Sequence, residues 1–434
     1  MKELLMMKSI LAVFGNRMRK PRITHLDVWA NDERIGTLEK GAMYRFTYDN
    51  SNSSLLGLHH QDRSKVYISN NMPHIFVQYF PEGFLAAHIT SKYAFHDAPF
   101  EDNEMLRLAI LGREALGRIH VRCNDSLFNE WIDGLEMKNP RILTERDLLG
   151  INARQVFQQY MAEIFHHGRF VSVSGIQQKM SLDAISRNTK QTDSYIAKGF
   201  DPSEYPCLAA NEFLCMQTIK QAGIPVAQTS LSEDSSVLLV RRFDVGEQGY
   251  FLGMEDFTSL RQYSVEDKYK GSYAAIAQII RQISGRPDED LIHFFNQLAA
   301  SCILKNGDAY LKNFSVLYHD EYDVRLAPAY DVLDTSIYGV GTQGTFDAYD
   351  DMLALNLTDL GKKTYPSKNT LLDFAEKYCD LGREDASFMI DTIVQAKEQV
   401  LVKYSDVLRD NGWLAQQWHF IPDENEEGLP FTFR

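Results

Sequence analysis

The sequence predicts an α+β chain: an N-terminal α+β domain, then a two-lobed unit whose C-terminal lobe is mostly helical. Three observations carry that expectation. Alternating apolar runs broken by polar turns begin at Thr24 and run to Tyr48, and another strand-like run stands at Gly117–Val121 beyond two helical stretches. A second block of strand-like runs begins at Arg169. From about residue 256 onward most apolar residues recur at helical spacing.

Size and charge bound the rest. A chain of 434 residues has room for two to three domains or one large bilobal unit. Its 44% hydrophobic and 12% aromatic content supplies a real core and excludes general disorder. The net charge of −14 argues against binding nucleic acid over the whole surface, which needs a basic footprint, but leaves room for a DNA-binding partner. Cys123, Cys207, Cys215, Cys302 and Cys379 are odd in number and form no closely spaced pair. They read as buried thiols in a reducing compartment, not as a disulfide framework or a cysteine zinc site. No stretch approaches the ~20 apolar residues of a membrane span. Residues 1–20 faintly resemble a signal peptide. However, the apolar run is short, and Arg17, Arg19, Lys20 and Arg22 stand where a cleavage site belongs. They are expected to be a helical or frayed extension of a cytoplasmic chain.

The elements follow in order. Leu26–Ala30, a turn over Asn31–Arg34 and Ile35–Leu38 form a hairpin, and Tyr44–Tyr48 is a third strand. Residues 51–75 are polar and turn-rich. Residues 83–95 and 101–112 are expected to be helical, the second closing at Gly112, before a strand at Gly117–Val121. The N-terminal domain is thus placed at 21–122 and a connecting segment at 123–168, with a helix from Val156 to Phe165 stopped by Gly168. The N-lobe, 169–255, has strands at Phe170–Val173, Ser194–Lys198 and Ser236–Phe243. Its helix, Ala209–Ala222, ends at Gly223 with Pro225 beyond. In the C-lobe, 256–434, Leu291, Phe294, Phe295, Leu298 and Cys302 make one apolar stripe of a helix ending at Asn306-Gly307. A hairpin is expected over Phe314–Tyr318 and Tyr322–Leu326, and an amphipathic helix over Thr370–Tyr404.

The residues that carry chemistry lie in this second unit. Asp308 and Asn313 sit five apart in a loop between the buried helix and the hairpin, and Asp331 follows past the hairpin. Phosphoryl transfer by a kinase needs that order: a carboxylate to orient and deprotonate the acceptor hydroxyl, then an amide oxygen and a second carboxylate to hold Mg²⁺ on the phosphates. Asp and Asn are also ordinary turn residues, so the loop alone decides nothing. Upstream, Ser172-Val173-Ser174-Gly175-Ile176-Gln177-Gln178-Lys179 is a small-residue loop whose backbone N–H groups can cradle phosphates, although it matches no glycine-rich signature. Lys198 ends a strand and Glu212 lies on the next helix, the pairing with which kinases hold the α/β-phosphates. Together the five ordered parts favour a kinase over a set of unrelated turns.

With these residues the chain resembles the HipA-type serine/threonine kinases, toxins of HipA/HipB-like toxin–antitoxin pairs. The matching segments are Val28–Leu38, Gly112–Gly117, Ser172–Lys179, Asn211-Glu212, Arg242-Phe243-Asp244, Glu255-Asp256, Lys268-Tyr269, Asn306–Ser315, Pro328–Asp331 and Gly361-Lys362-Lys363. They run in family order over nearly the whole chain. The resemblance implies a protein-kinase-like bilobal domain using ATP and Mg²⁺. Asp308 would be the base, Lys312 a residue approaching the transferred phosphate, and Asn313 and Asp331 the metal ligands. Lys198 and the Ser172–Lys179 loop would bind the phosphates, Glu212 would support the site, and Glu255-Asp256 would form a hinge-like nucleotide contact. Ser172 matches an autophosphorylated loop serine whose modification expels the loop and switches the kinase off, with Ser174 the alternative two residues on.

The resemblance further implies a small helix-turn-helix antitoxin of HipB type that tethers the toxin to operator DNA, which suits an acidic chain. The target would be a protein of the translation machinery, for instance an aminoacyl-tRNA synthetase. Tyr310 departs from the family, which usually has a His there to brace the catalytic loop, and Met254 departs from a common Gln. Two other readings stay open at this point: a small-molecule kinase of aminoglycoside-phosphotransferase type, and a pseudokinase component of a repressor complex, which Tyr310 alone supports.

Overall fold

The computed structural model describes residues 23–78, 80, 103–114, 117–135, 143–167, 178–185, 192–200, 202–203, 205–246, 249–338 and 352–418. The expected helix at 83–95, the strand at Phe170–Val173 and the extension at 1–20 lie outside the described residues.

The first unit is a sheet of β1 (His25–Ala30), β2 (Glu33–Lys40), β3 (Tyr44–Tyr48), β4 (Tyr67–Ser69) and β5 (Ile119–Arg122), in the order β4-β3-β2-β1-β5. All neighbours are antiparallel. Period-two alternation makes the register legible: in β3, Tyr44, Phe46 and Tyr48 are buried while Arg45 and Thr47 are exposed. The β1–β2 turn is tighter than expected, because Asn31 takes a left-handed φ of 51° and β2 starts at Glu33. β4 arises inside the turn-rich stretch, where three residues are too short to show a period. Two helices, α1 (His74–Val77) and α2 (Glu104–Leu111), cover the sheet, and Phe46, Phe76 and Leu108 meet in its core. Asn103 caps α2 by accepting a hydrogen bond from the Leu106 N–H at 3.1 Å.

Helices α3 (Ser126–Leu135), α4 (Glu145–Leu149) and α5 (Ala153–His167) connect this unit to the next. A four-stranded sheet follows: β6 (Gln178–Ile185), β7 (Thr192–Gly199), β8 (Thr229–Leu231) and β9 (Val237–Arg241), in the order β6-β7-β9-β8. Gln178 and Lys179 therefore belong to a paired strand and not to the loop that the sequence suggested, Lys179 standing opposite Lys198 in the ladder. Helix α6 (Leu208–Gln221) is buried along most of its length and stops where expected, with Gly223 at φ 76°.

The helical lobe holds one more small sheet. Strand β10 (Gly253–Asp256) pairs with β11 (Ser315–Tyr318), which pairs with β12 (Arg325–Leu326). β10 thus joins the hairpin of the C-lobe, and the short α7 (Phe257–Leu260) follows it directly. The return strand of the hairpin has two residues, because Tyr322 and Asp323 remain in the turn.

Helices α8 (Tyr273–Ile283) and α9 (Pro287–Ile303) carry the core, and the predicted α9 stripe from Leu291 to Cys302 is buried throughout. Pro287 opens α9, followed by Asp288, Glu289 and Asp290, which suit the positive helix end. The expected helix over Thr370–Tyr404 is two, α10 (Lys368–Cys379) and α11 (Arg383–Lys403). Asp380 takes a left-handed φ of 53° and Gly382 starts the next helix.

The first unit docks on the segment before β10 and on the C-lobe hairpin through polar contacts. The Asn31 carboxamide donates to the Phe251 carbonyl at 3.0 Å and accepts from the Phe251 N–H at 2.9 Å. Arg63 forks onto Glu321, and Arg118 reaches the carbonyls of Leu55 and His319.

Candidate active site

The site assembles where the four-stranded sheet, α6 and the β11–β12 hairpin meet. Lys198 is 3% exposed, and its ammonium is ion-paired at once with Glu212 of α6 and with Asp331. Burial alone pulls this ammonium's pKa down; the two carboxylates outweigh that effect and leave it raised, so the lysine stays charged. Asp331 holds a left-handed φ of 54°, a conformation that costs a non-glycine residue strain and points to a constrained position. Its carboxylate remains 23% exposed, whereas that of Glu212 is fully buried.

Asn211 fixes the same junction from the adjacent position. Its carboxamide donates to the Asp334 carbonyl at 2.8 Å and accepts from the Asp334 N–H at 3.1 Å. Helix α6 therefore grips the Asp331 segment twice, through Glu212 by way of Lys198 and through Asn211 directly.

Asp308 lies in the loop that follows α9. Its N–H donates to the Asn306 side-chain oxygen at 3.2 Å, and one carboxylate oxygen accepts from the Tyr269 hydroxyl at 2.8 Å. The Asn313 amide nitrogen donates back to the Asp308 carbonyl at 2.6 Å, which commits the nitrogen to the loop and turns the amide oxygen to other ligands. Tyr273 donates to the Ala309 carbonyl at 2.9 Å. Thr335 ties this loop to the Asp331 segment: its hydroxyl accepts from the Gly307 N–H at 2.8 Å and donates to the Lys305 carbonyl at 3.2 Å.

Tyr310 is buried, and its ring packs on Tyr269 with centroids 4.7 Å apart. It supports the loop through this aromatic contact. Lys312 is also buried, and its carbonyl accepts from the Tyr330 hydroxyl at 2.7 Å. Tyr330 in turn packs on Phe243, 5.3 Å between centroids, while Arg242 forks onto Asp244 at 2.9 and 2.6 Å. The Arg242-Phe243-Asp244 segment, opaque in the sequence, thus buttresses the residue before Asp331.

Glu255 and Asp256 both turn their carboxylates into protein. Glu255 accepts from the Leu58 N–H and the Tyr318 hydroxyl, each at 2.7 Å, and Asp256 caps α7 by accepting from the Ser259 N–H at 2.8 Å. Their main chain is engaged as well, which departs from the expected hinge-like nucleotide contact: the Asp256 N–H donates to the Gln78 side-chain oxygen at 3.3 Å, the Met254 carbonyl accepts from Gln78 Nε2 at 3.0 Å, and Glu255 stands opposite Val316 in the β10–β11 ladder. The loop residues Ser172, Val173, Ser174, Gly175, Ile176 and Gln177 lie outside the described residues.

Sequence reasoning missed Tyr269, Asn306, Thr335 and Tyr330 as supports of the site. Asn306, two before Asp308, carried an Asx-turn signal. Tyr269 contacts Asp308 across 39 residues; Lys268-Tyr269 matched the family, but nothing in the spacing tied it to Asp308.

Asn313 and Asp331 carry oxygen donors of the kind that Mg²⁺ takes together with phosphate and water; among the described residues no group of three or more His, Cys, Asp or Glu side chains could hold a metal ion by itself.

A strand lysine bridged to a helix glutamate, joined to an aspartate beyond a hairpin, is the architecture of a protein-kinase-like fold. Residues 26–122 match the family described as the HipA N-terminal domain, and residues 171–401 match the HipA-like C-terminal domain. The chain belongs to the HipA family.

A provisionally named kinase of Sinorhizobium fredii, Y4dM, is 24% identical over 82% of this chain and 86% of its own. A provisionally named kinase of Haemophilus influenzae is 26% identical over 48% of this chain and 66% of its own. Among solved structures, the complex of HipA, HipB and operator DNA from the Shewanella oneidensis MR-1 toxin–antitoxin system superposes with a TM-score of 0.62. It is 18% identical and covers 90% of this chain and 96% of that one, a likeness of fold.

Proposed function

We propose that this protein is an ATP- and Mg²⁺-dependent serine/threonine protein kinase, the toxin of a type II toxin–antitoxin pair. The observation that carries the reading is the Lys198 ammonium held between Glu212 and Asp331, with the Asp308–Asn313 loop tied to the same segment through Thr335. Nothing in the packing of a structural protein requires a buried lysine, two carboxylates and a braced aspartate in that order.

In this reading Lys198 binds the α/β-phosphates, and Asp308 orients the acceptor hydroxyl and takes its proton. Asn313 and Asp331 would hold Mg²⁺, which when bound neutralises charge on the phosphates. Lys312 stands beside Asn313 to meet the transferred group. The family support for an antitoxin is the Shewanella complex, in which HipA occurs with HipB and operator DNA. For this chain we propose a HipB-like helix-turn-helix partner, binding to operator DNA through that partner, and a cytoplasmic protein substrate such as an aminoacyl-tRNA synthetase. Among the described residues no helix is long and apolar enough to cross a membrane.

Against the pseudokinase reading, the loop stays braced with Tyr310 in place, through its ring contact with Tyr269. The small-molecule kinase reading does not account for the N-terminal sheet unit docked on the C-lobe. Self-regulation follows from charge. Phosphate on Ser172, or on Ser174, adds about −1.5 to −2 charge against the triphosphate, so the modified loop leaves the site. Mass spectrometry of protein incubated with Mg·ATP tests this: phosphate on Ser172 or Ser174 with weakened ATP binding supports it. A fully phosphorylated protein that binds Mg·ATP as tightly as before would refute loop ejection.

A further inference from the structure

We infer that Tyr269 is a positioning residue for the base, acting with Tyr310 to fix one oxygen of the Asp308 carboxylate so that the other faces the acceptor hydroxyl. The inference rests on the reading of Asp308 as the base. Tyr269 lies between α7 and α8, far in sequence from the catalytic loop, yet its hydroxyl donates to Asp308 Oδ1 at 2.8 Å. A carboxylate on a single Cβ can rotate about its terminal torsion, which is broad. One charge-assisted hydrogen bond from a rigid phenol narrows that rotation.

The residue is itself held at ring and main chain. Its ring packs on Tyr310 at 4.7 Å and 39°, its carbonyl accepts from Lys363 Nζ at 3.0 Å, and the Leu311 N–H donates to the preceding carbonyl of Lys268 at 3.3 Å. Lys268 Nζ lies 4.9 Å from the Tyr310 ring centroid and 5.3 Å from that of Tyr269. The catalytic loop, Tyr310 and the Lys363 segment therefore fix the ring and main chain of the residue whose hydroxyl meets Asp308. Tyr310 supplies the flat surface against which Tyr269 stands. This gives the departure from His a physical purpose: the brace reaches the base through a second aromatic residue.

Tyr269→Phe removes the hydroxyl and keeps the ring stack, so it isolates orientation from packing. Misaligning a general base by a fraction of an ångström to 1 Å costs about 10- to 10²-fold in rate. The assay is transfer of the γ-phosphoryl of ATP to the protein's own chain, at varied ATP. The expected result is a rate at saturating ATP about 10-fold or more below wild type, with half-saturation by ATP within about twofold and an unchanged melting temperature. In the Asp308→Asn background the same substitution should cost nothing further, since there is no base left to orient. A wild-type rate for Tyr269→Phe overturns the inference. So does a loss of ATP affinity or melting temperature in proportion to the rate, which would make Tyr269 a packing residue. If Asp308→Asn itself transfers phosphate at the wild-type rate, the base assignment falls and this inference with it. If Asp308→Asn is inactive while Tyr269→Phe keeps the wild-type rate, only this inference falls.

Discussion

Lys198 and Asp331, 133 residues apart in the chain, meet in an ion pair that Glu212 shares. The pair joins the four-stranded sheet to the segment beyond the hairpin and holds a buried cation at that junction. Removing the lysine would leave Glu212 charged and fully buried with its cationic partner gone. Lys198→Ala is therefore expected to destabilise the fold by about 3–5 kcal/mol. Urea denaturation measures this, and the Lys198→Ala/Glu212→Ala double variant should recover part of the loss.

Asp331 is the partner that a bound metal would claim. Asp331→Ala should abolish the tightening of ATP binding by Mg²⁺ while leaving metal-free ATP binding at Lys198 intact. Calorimetry with and without Mg²⁺ reads both terms. An undiminished Mg²⁺ effect in the variant would remove Asp331 from the metal site.

His60 makes the N-terminal unit sensitive to acid. Its ring is buried between Phe46 and Tyr67, with Nδ1 making no hydrogen bond. Burial, aided by His59, lowers its pKa from 6.5 to about 4. The unfolded chain then binds the proton more readily than the folded one, so stability rises with pH. This contribution is complete above the unfolded value near 6.5 and is lost as pH falls from there to about 4, by about 3 kcal/mol. Denaturation of His60→Gln at pH 7 and pH 4.5 should show a smaller pH difference than wild type. Equal differences would contradict the assignment.

Glu255 joins the two units. It is buried, and desolvation raises its pKa against the opposing hydrogen bonds from Tyr318 and the Leu58 N–H. Glu255→Ala leaves those two donors unsatisfied, at about 1–3 kcal/mol each. Glu255→Gln keeps an acceptor and should cost less. The ranking of midpoints in urea, wild type above Gln above Ala, checks this.

What could be read from the sequence was local or periodic. The alternation in β3, the stripe of α9 and the stop of α6 at Gly223 all follow from side-chain period and turn chemistry. Lys198, Glu212, Asp308, Asn313 and Asp331 were found because their order matches a reaction's needs. The structure brings Lys198, Glu212 and Asp331 into one network and links Asp308 to Asn313. The rest lay beyond sequence reach for physical reasons. β4 and β10 are three and four residues long and gain their stability from neighbours. Tyr269, Asn211 and Thr335 act across 28 to 123 residues, through hydrogen bonds that no spacing rule encodes.

The central claim is that Asp308 is the base of a phosphoryl transfer, and one measurement bears on it most directly. Wild type and Asp308→Gln, each shown to bind Mg·ATP by calorimetry, are incubated with γ-labelled ATP, and label on protein is followed in time. Gln keeps the size and polarity of the site but cannot accept the proton. The account predicts Mg²⁺-dependent labelling of the wild type and a rate at least ~10²-fold lower in the variant, with ATP binding retained. Equal labelling rates in the two proteins would contradict it.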